Sequence, residues 1–249
     1  LVGEFPELQG ILGGHFAEAQ GFEKEVCQSI SEHYLPSGYD SKVPKNLYSI
    51  TLSLSDKIDT LVGFFGLSLI PTGSKDPYAL RRYTIALVRL IVENKIKIKL
   101  RSIFNYALTL YKEQGYEFDI TKVLKELNNF ILDRLKNYSK EKNIRLDIIE
   151  SSTLSNDIDD LYNGYKKSEV LNRNVKKNIG QDVIEIYKRS SNILNNEVIK
   201  NKLELSNNVD TGLFKNDFEK NLYKKIQEIK KYFINVIKNE NFEESLKEL

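Results

Sequence analysis

No proline follows Pro77, and nine of the chain's thirteen glycines also lie before residue 78. A long stretch with so few backbone breakers folds as helices if its apolar residues recur with the helical period, and here they do. Leu80, Thr84, Leu87, Val88 and Ile91 form one stripe at a spacing of 3.6 residues. Val123, Leu127, Phe130, Ile131 and Leu135 form a second, and Leu222, Ile226, Ile229, Phe233 and Val236 a third. Strand-like alternation is confined to Ile96-Lys97-Ile98-Lys99-Leu100, which reads as a connector between helices. The expected class is all-α. The change in breaker density, with the Gln114-Gly115-Tyr116 interruption, predicts two domains, 1–115 and 116–249.

Hydrophobic residues at 41% and charged residues at 29% match a soluble globular chain. The longest apolar run, Leu61 to Pro71, is interrupted by Gly63, Gly66 and Ser68 and is too short to span a membrane. The opening Leu1-Val2-Gly3-Glu4-Phe5-Pro6 does not read as a signal peptide, and the lack of any methionine suggests a segment of a longer protein. A single cysteine, Cys27, excludes an internal disulfide and a cysteine-built zinc cage, and is expected to be buried on a helix. A reducing, cytoplasmic home is expected. The net charge of +2 does not by itself announce a nucleic-acid binder. It is unevenly spread, with 20 Lys and Arg against 22 acids up to Tyr165 and 17 against 13 afterwards. That tilt permits RNA contact toward the C-terminal end, and equally suits a solvated helix surface.

Two stretches carry candidate chemistry. In Pro71-Thr72-Gly73-Ser74-Lys75-Asp76-Pro77-Tyr78-Ala79-Leu80-Arg81-Arg82, a tight polar loop runs into a helix with Asp76 as the expected N-cap and Pro77 at the first helical position. Free backbone N–H groups there, with Lys75, Arg81 and Arg82 close by, suit a phosphate. Arg89, seven residues past Arg82, would extend the same face. The competing reading is an internal clamp, with Arg81 or Arg82 paired to Asp56 or Asp59. The loop is not a nucleotide-binding P-loop, because Ser68 stands where the first glycine would be. In the second stretch, Lys188, Arg189 and Asn192 share a helix with the apolar positions Val183, Ile186, Tyr187, Ile193 and Leu194. Lysine and arginine neutralise phosphates and asparagine can read an unstacked base edge; a salt-bridged helix face is the alternative.

These blocks carry a resemblance. Phe5-Pro6-Glu7-Leu8-Gln9-Gly10-Ile11, Glu32-His33-Tyr34-Leu35-Pro36, Asp56-Lys57-Ile58-Asp59-Thr60-Leu61-Val62-Gly63, Pro71 to Arg82, and Tyr187-Lys188-Arg189-Ser190-Ser191-Asn192-Ile193-Leu194 resemble, in order and spacing, the C-terminal part of the beta subunit of the two-subunit bacterial glycyl-tRNA synthetase. The resemblance implies an HD-like helical domain over 1–115 and a helical anticodon-binding-type domain over 116–249. It also implies a division of labour. The alpha subunit activates glycine, with ATP and magnesium expected there, while this chain binds glycine-specific tRNA, holds no cofactor, has no catalytic residue and meets no membrane. The implied tRNA contacts are Lys75, Arg81, Arg82 and Arg89 in the first region and Lys188, Arg189 and Asn192 in the second. Consistent with this, Gly13-Gly14-His15-Phe16 does not form a nucleotide-binding His-x-Gly-His motif.

An HD-like domain raises the question of a metal, since working HD enzymes hold a divalent ion with a histidine, a His-Asp doublet and a later aspartate. The counterparts are His15, His33-Tyr34 and Asp56. The doublet's acid is a tyrosine, which offers no carboxylate at neutral pH, so no metal is expected. His33 should instead pack or cap, and Asp56 should anchor its surroundings through local ion pairs. Two further readings stay open: a metal-dependent nucleotide phosphohydrolase, and a helical scaffold that joins subunits without touching RNA.

Overall fold

The structure, a computed structural model, describes residues 4–5, 8–153, 159, 161–201, 209–238 and 241–245. Pro6 and Glu7 of the first resemblance block lie outside them. The described residues form eleven α-helices and no strand beyond an isolated bridge between Thr72 and Lys75. The all-α expectation therefore holds. No helix among the described residues is long and apolar enough to cross a membrane.

The first compact unit runs through Lys166. It begins with α1 (Ile11–Ala19) and α2 (Lys24–Glu32), which pack on each other. Gly14 permits that approach, because a Cβ there would collide with Ser31 Oγ and the Cys27 carbonyl. Cys27 is buried in α2, as expected of a small apolar side chain at an inward position. Next come α3 (Leu47–Gly66), α4 (Leu80–Glu93), α5 (Leu100–Glu113) and α6 (Ile120–Glu141). Asn46 caps α3 by accepting from the Tyr48 N–H, and Asp119 caps α6 by accepting from the Lys122 N–H. Residues 96–99 connect α4 to α5, as their sequence suggested.

These four helices share one core. Leu61 and Phe65 of α3, Leu80, Leu87 and Ile91 of α4, Leu100 and Phe104 of α5, and Leu127, Ile131 and Leu135 of α6 are fully buried in it. Each such side chain contributes roughly 1.5–3 kcal/mol by leaving water. The α4 and α6 stripes read from sequence are thus core stripes, with Phe130 half-buried beside Phe65 at a ring separation of 5.2 Å. The sharing corrects the domain boundary expected at 115/116. The loop after α5 is a turn with Gly115 at φ +92°, but α6 beyond it packs against α3, α4 and α5. Packing continues through α7 (Leu146–Ser152) to Leu161 and Tyr165 at the start of α8 (Leu161–Asn174).

The second unit, Lys167–Leu249, holds the rest of α8, α9 (Asn178–Asn201), a 3-10 turn at Thr211–Leu213, α10 (Asp217–Lys238) and α11 (Phe242–Ser245). Along α10 the predicted stripe grades from exposed Leu222 and Ile226 through half-buried Ile229 and Phe233 to buried Val236. The α9 positions Ile186, Tyr187, Ile193 and Leu194 are all exposed.

Candidate nucleic-acid interface

The loop before α4 is built differently from its sequence reading. Thr72 and Lys75 exchange backbone hydrogen bonds at 3.2 and 2.9 Å, closing a tight turn around Gly73 at φ +52°. The helix then starts at Leu80, not at Pro77, after Ala79 in the left-handed conformation at φ 55°. Asp76 still caps it, from further back: its two carboxylate oxygens accept from the Leu80 and Arg81 N–H groups, each at 2.9 Å. Two of the backbone donors proposed to cradle a phosphate are therefore already taken, and by a negative group that would repel one.

The four cations of this region separate into two classes. Arg81 reaches back to donate to the Gly73 carbonyl at 2.6 Å, so it clamps the loop, though not through Asp56 or Asp59. Arg89 is 6% exposed; it pairs with Glu93 at 2.7 Å and donates to the Gly38 carbonyl and, at 2.9 Å, to the Ser41 carbonyl. This corrects the expectation that Arg82 and Arg89 share an outward face. From Thr84 to Val92 every residue of α4 is buried, so a helix expected to be amphipathic is enclosed nearly all round. Lys75 and Arg82, by contrast, are exposed and have no side-chain partner among the described residues.

Arg82 stands at the edge of a cleft of about 690 Å³ whose walls include Tyr34, Tyr78, Tyr83, Asp56 and Lys57. Asp56-Lys57 lies in the middle of α3 and not in a turn. Lys57 is 2% exposed and donates to the His33 carbonyl at 3.0 Å and to Ser53 Oγ at 2.9 Å. Its ammonium lies 3.9 Å from Asp56 Oδ2 and 5.7 Å from the centre of the Tyr83 ring. Burial drives its pKa down to about 8 against the opposing pull of Asp56. Burial likewise raises the Tyr83 phenol. Asp56 Oδ2 has no hydrogen-bond donor. The Lys57 ammonium and the rings of Tyr78 and Tyr83 were not singled out from sequence, and Tyr34 was weighed there only as a missing carboxylate. The available signal was a lysine four residues from Ser53 and from Leu61, on the inward stripe of a helix whose other buried positions are apolar or small.

A divalent ion does not fit here. Asp56 is the single carboxylate lining the cleft, and a buried ammonium already lies beside it, where it would repel a second cation. The His33 ring is half-buried with Nδ1 2.6 Å from the Ile30 carbonyl, a packing and capping role. His15 is exposed on α1 and lies 3.8 Å from Glu18. Among the described residues no three His, Cys, Asp or Glu side chains gather as a metal would need.

In the second unit, Lys188, Arg189 and Asn192 are exposed on α9. None has a hydrogen-bond or ion-pair partner among the described residues, so the salt-bridged alternative finds no partner there. Ser190 and Leu194 are exposed alongside them.

Comparison with known proteins is decisive about ancestry. The family model described as glycyl-tRNA synthetase beta subunit matches residues 1–153. The chain belongs to the glycyl-tRNA synthetase beta-subunit family. Curated relatives named glycine–tRNA ligase beta subunit extend the match. The one from Cereibacter sphaeroides is 37% identical over 223 residues, covering 90% of this chain and 32% of the relative. That from Rickettsia canadensis is 35% identical over 246 residues, 99% of this chain and 35% of the relative. That from Clostridioides difficile is 34% identical over 230 residues, 92% of this chain and 32% of the relative. The chain thus spans about a third of the length of these relatives. The glycyl-tRNA synthetase beta-subunit model covers the cleft and the Thr72–Asp76 loop, and an alignment over 99% of the chain takes in α9 as well.

Proposed function

We propose that this chain is a tRNA-holding part of a glycine–tRNA ligase, acting beside an alpha subunit that attaches glycine with ATP and magnesium. Family membership supplies the reaction. The observation that carries the binding role is the unpartnered row Lys188, Arg189 and Asn192, exposed on α9 within a chain whose C-terminal part is net positive. Neither cation is held in an ion pair, although Glu185 stands one turn back on the same helix, so both meet phosphates at little desolvation cost, and an asparagine one turn on offers a donor and an acceptor to a base edge. The unit carrying α9 is read as the anticodon-binding-type domain, and the first unit as an HD-like one with a degenerate centre. No catalytic residue is assigned to this chain; its place is the cytoplasm.

In this reading Lys75 and Arg82 are secondary phosphate contacts, while Arg81 and Arg89 serve the fold. Charge reversal tests the assignment. Arg189→Glu in the assembled synthetase should raise the KM for tRNA several-fold and leave glycine-dependent ATP–pyrophosphate exchange unchanged. Unaltered tRNA kinetics would remove α9 from the interface. A second reading, subunit assembly, is favoured by the exposed Ile186, Tyr187, Ile193 and Leu194 on the same helix. It predicts that Tyr187→Ser weakens the alpha–beta association instead.

A further inference from the structure

We propose that the cleft between α3 and the start of α4 binds one unstacked nucleotide, with its base against the tyrosine rings and its phosphate on Arg82. At about 690 Å³ the cleft falls within the usual size of ligand pockets, roughly 300–1,000 Å³. Its walls state what is missing. Lys57 and Arg82 outnumber the single carboxylate Asp56 among the charged lining residues, so the unmet charge is negative. Arg82, exposed at the edge and without a partner among the described residues, offers a planar fork for a phosphate. Asp56 Oδ2 is itself buried beside the Lys57 ammonium at 3.9 Å, which leaves Arg82 as the charge a ligand meets.

The rings supply the second requirement. Tyr78 leans on Phe64 at 4.4 Å and Tyr34 on His33 at 4.1 Å, so each is held by a neighbouring ring. Held tyrosines present flat apolar surface for a base at little entropic cost. Such rings would also cage an ammonium, but Lys57 already provides one over Tyr83, and Arg82 would repel another. A phosphate and a flat ring occur together in a nucleotide. The proposal rests on the tRNA reading only for the source: an unpaired residue of an RNA strand and a free mononucleotide present the same chemistry.

The test uses the 249-residue chain, with adenosine 5′-monophosphate, adenosine and inorganic phosphate titrated by calorimetry or NMR. The mononucleotide should saturate the cleft. Arg82→Ala should weaken it about tenfold, as loss of a charge-assisted contact does, and leave adenosine affinity unchanged. Tyr78→Leu should weaken both. Both side chains are exposed, so the fold should survive each change. A single-stranded trinucleotide that binds more tightly than the mononucleotide identifies RNA as the source; equal or weaker binding identifies the free nucleotide. Lys188→Ala with Arg189→Ala should weaken tRNA binding and leave the mononucleotide unaffected, so failure of the cleft and failure of the α9 reading can be told apart. No mononucleotide binding at millimolar concentration would overturn the proposal. So would affinity indifferent to both cleft variants, or inorganic phosphate binding as tightly as the nucleotide.

Discussion

Lys57 should make the first unit more stable in mild alkali than at neutral pH. Its ammonium is 2% exposed, and burial lowers its pKa from 10.5 to about 8. Below pH 8 both folded and unfolded chains carry the proton, and the folded state bears the cost of a buried charge. Between pH 8 and 10.5 the unfolded chain binds more protons than the folded one, so stability rises with pH across that window. Each tenfold loss of proton affinity on folding is worth about 1.4 kcal/mol. The full gain is therefore about 3 kcal/mol, of which about 2 kcal/mol appears between pH 7 and 9.5. The tyrosines act oppositely and later. Tyr111, raised to about 12 chiefly by burial, keeps its proton when the unfolded phenol ionises near 10.0, so stability is lost above that pH. Urea unfolding followed by circular dichroism at half-unit steps from pH 7 to 9.5 isolates the lysine. Lys57→Met loses the bonds to His33 and Ser53 and should be less stable at pH 7, but its stability should no longer rise with pH. A flat wild-type profile above pH 8, or the same slope in the Met variant, would refute the buried-cation account.

Other residues are expected to separate structure from binding. Arg89→Ala should destabilise the chain by about 3 kcal/mol in urea, because it removes the ion pair to Glu93 and leaves two carbonyls without their buried donor, while tRNA affinity measured below the unfolding transition stays unchanged. Asp76→Ala uncaps the Leu80 and Arg81 N–H groups and should cost about 1 kcal/mol. It should also strengthen, not weaken, any phosphate contact at the loop, since it removes a negative charge there.

The helices were legible because a 3.6-residue period in long breaker-free segments leaves few other folds, and the Leu80 and Val123 stripes do face the core. What one dimension hides is the neighbourhood. Arg89 reads as surface by residue type, but α4 is enclosed, and the carbonyls of Gly38 and Ser41 that receive its guanidinium come from far upstream. Gly115 marks a real turn but not a boundary, since whether a turn ends a domain depends on where the next helix packs. Asp76 was recognised as a cap, while its reach of four residues depended on the left-handed Ala79, a conformation that alanine seldom adopts. The cleft was hidden because its parts lie on four separate segments, and lysine is a residue type that reads as surface unless its place on the inward stripe is weighed. On α9 the exposed cations were anticipated, whereas the exposure of the apolar residues beside them was not.

The proposed tRNA contacts are to phosphates, and binding across a salt series measures them. Binding of glycine-specific tRNA should fall steeply as salt rises from 50 to about 200 mM, as counterion release demands. Lys188→Ala with Arg189→Ala should flatten the slope by about two phosphate contacts. Affinity independent of salt, or a slope untouched by the double substitution, would contradict the account.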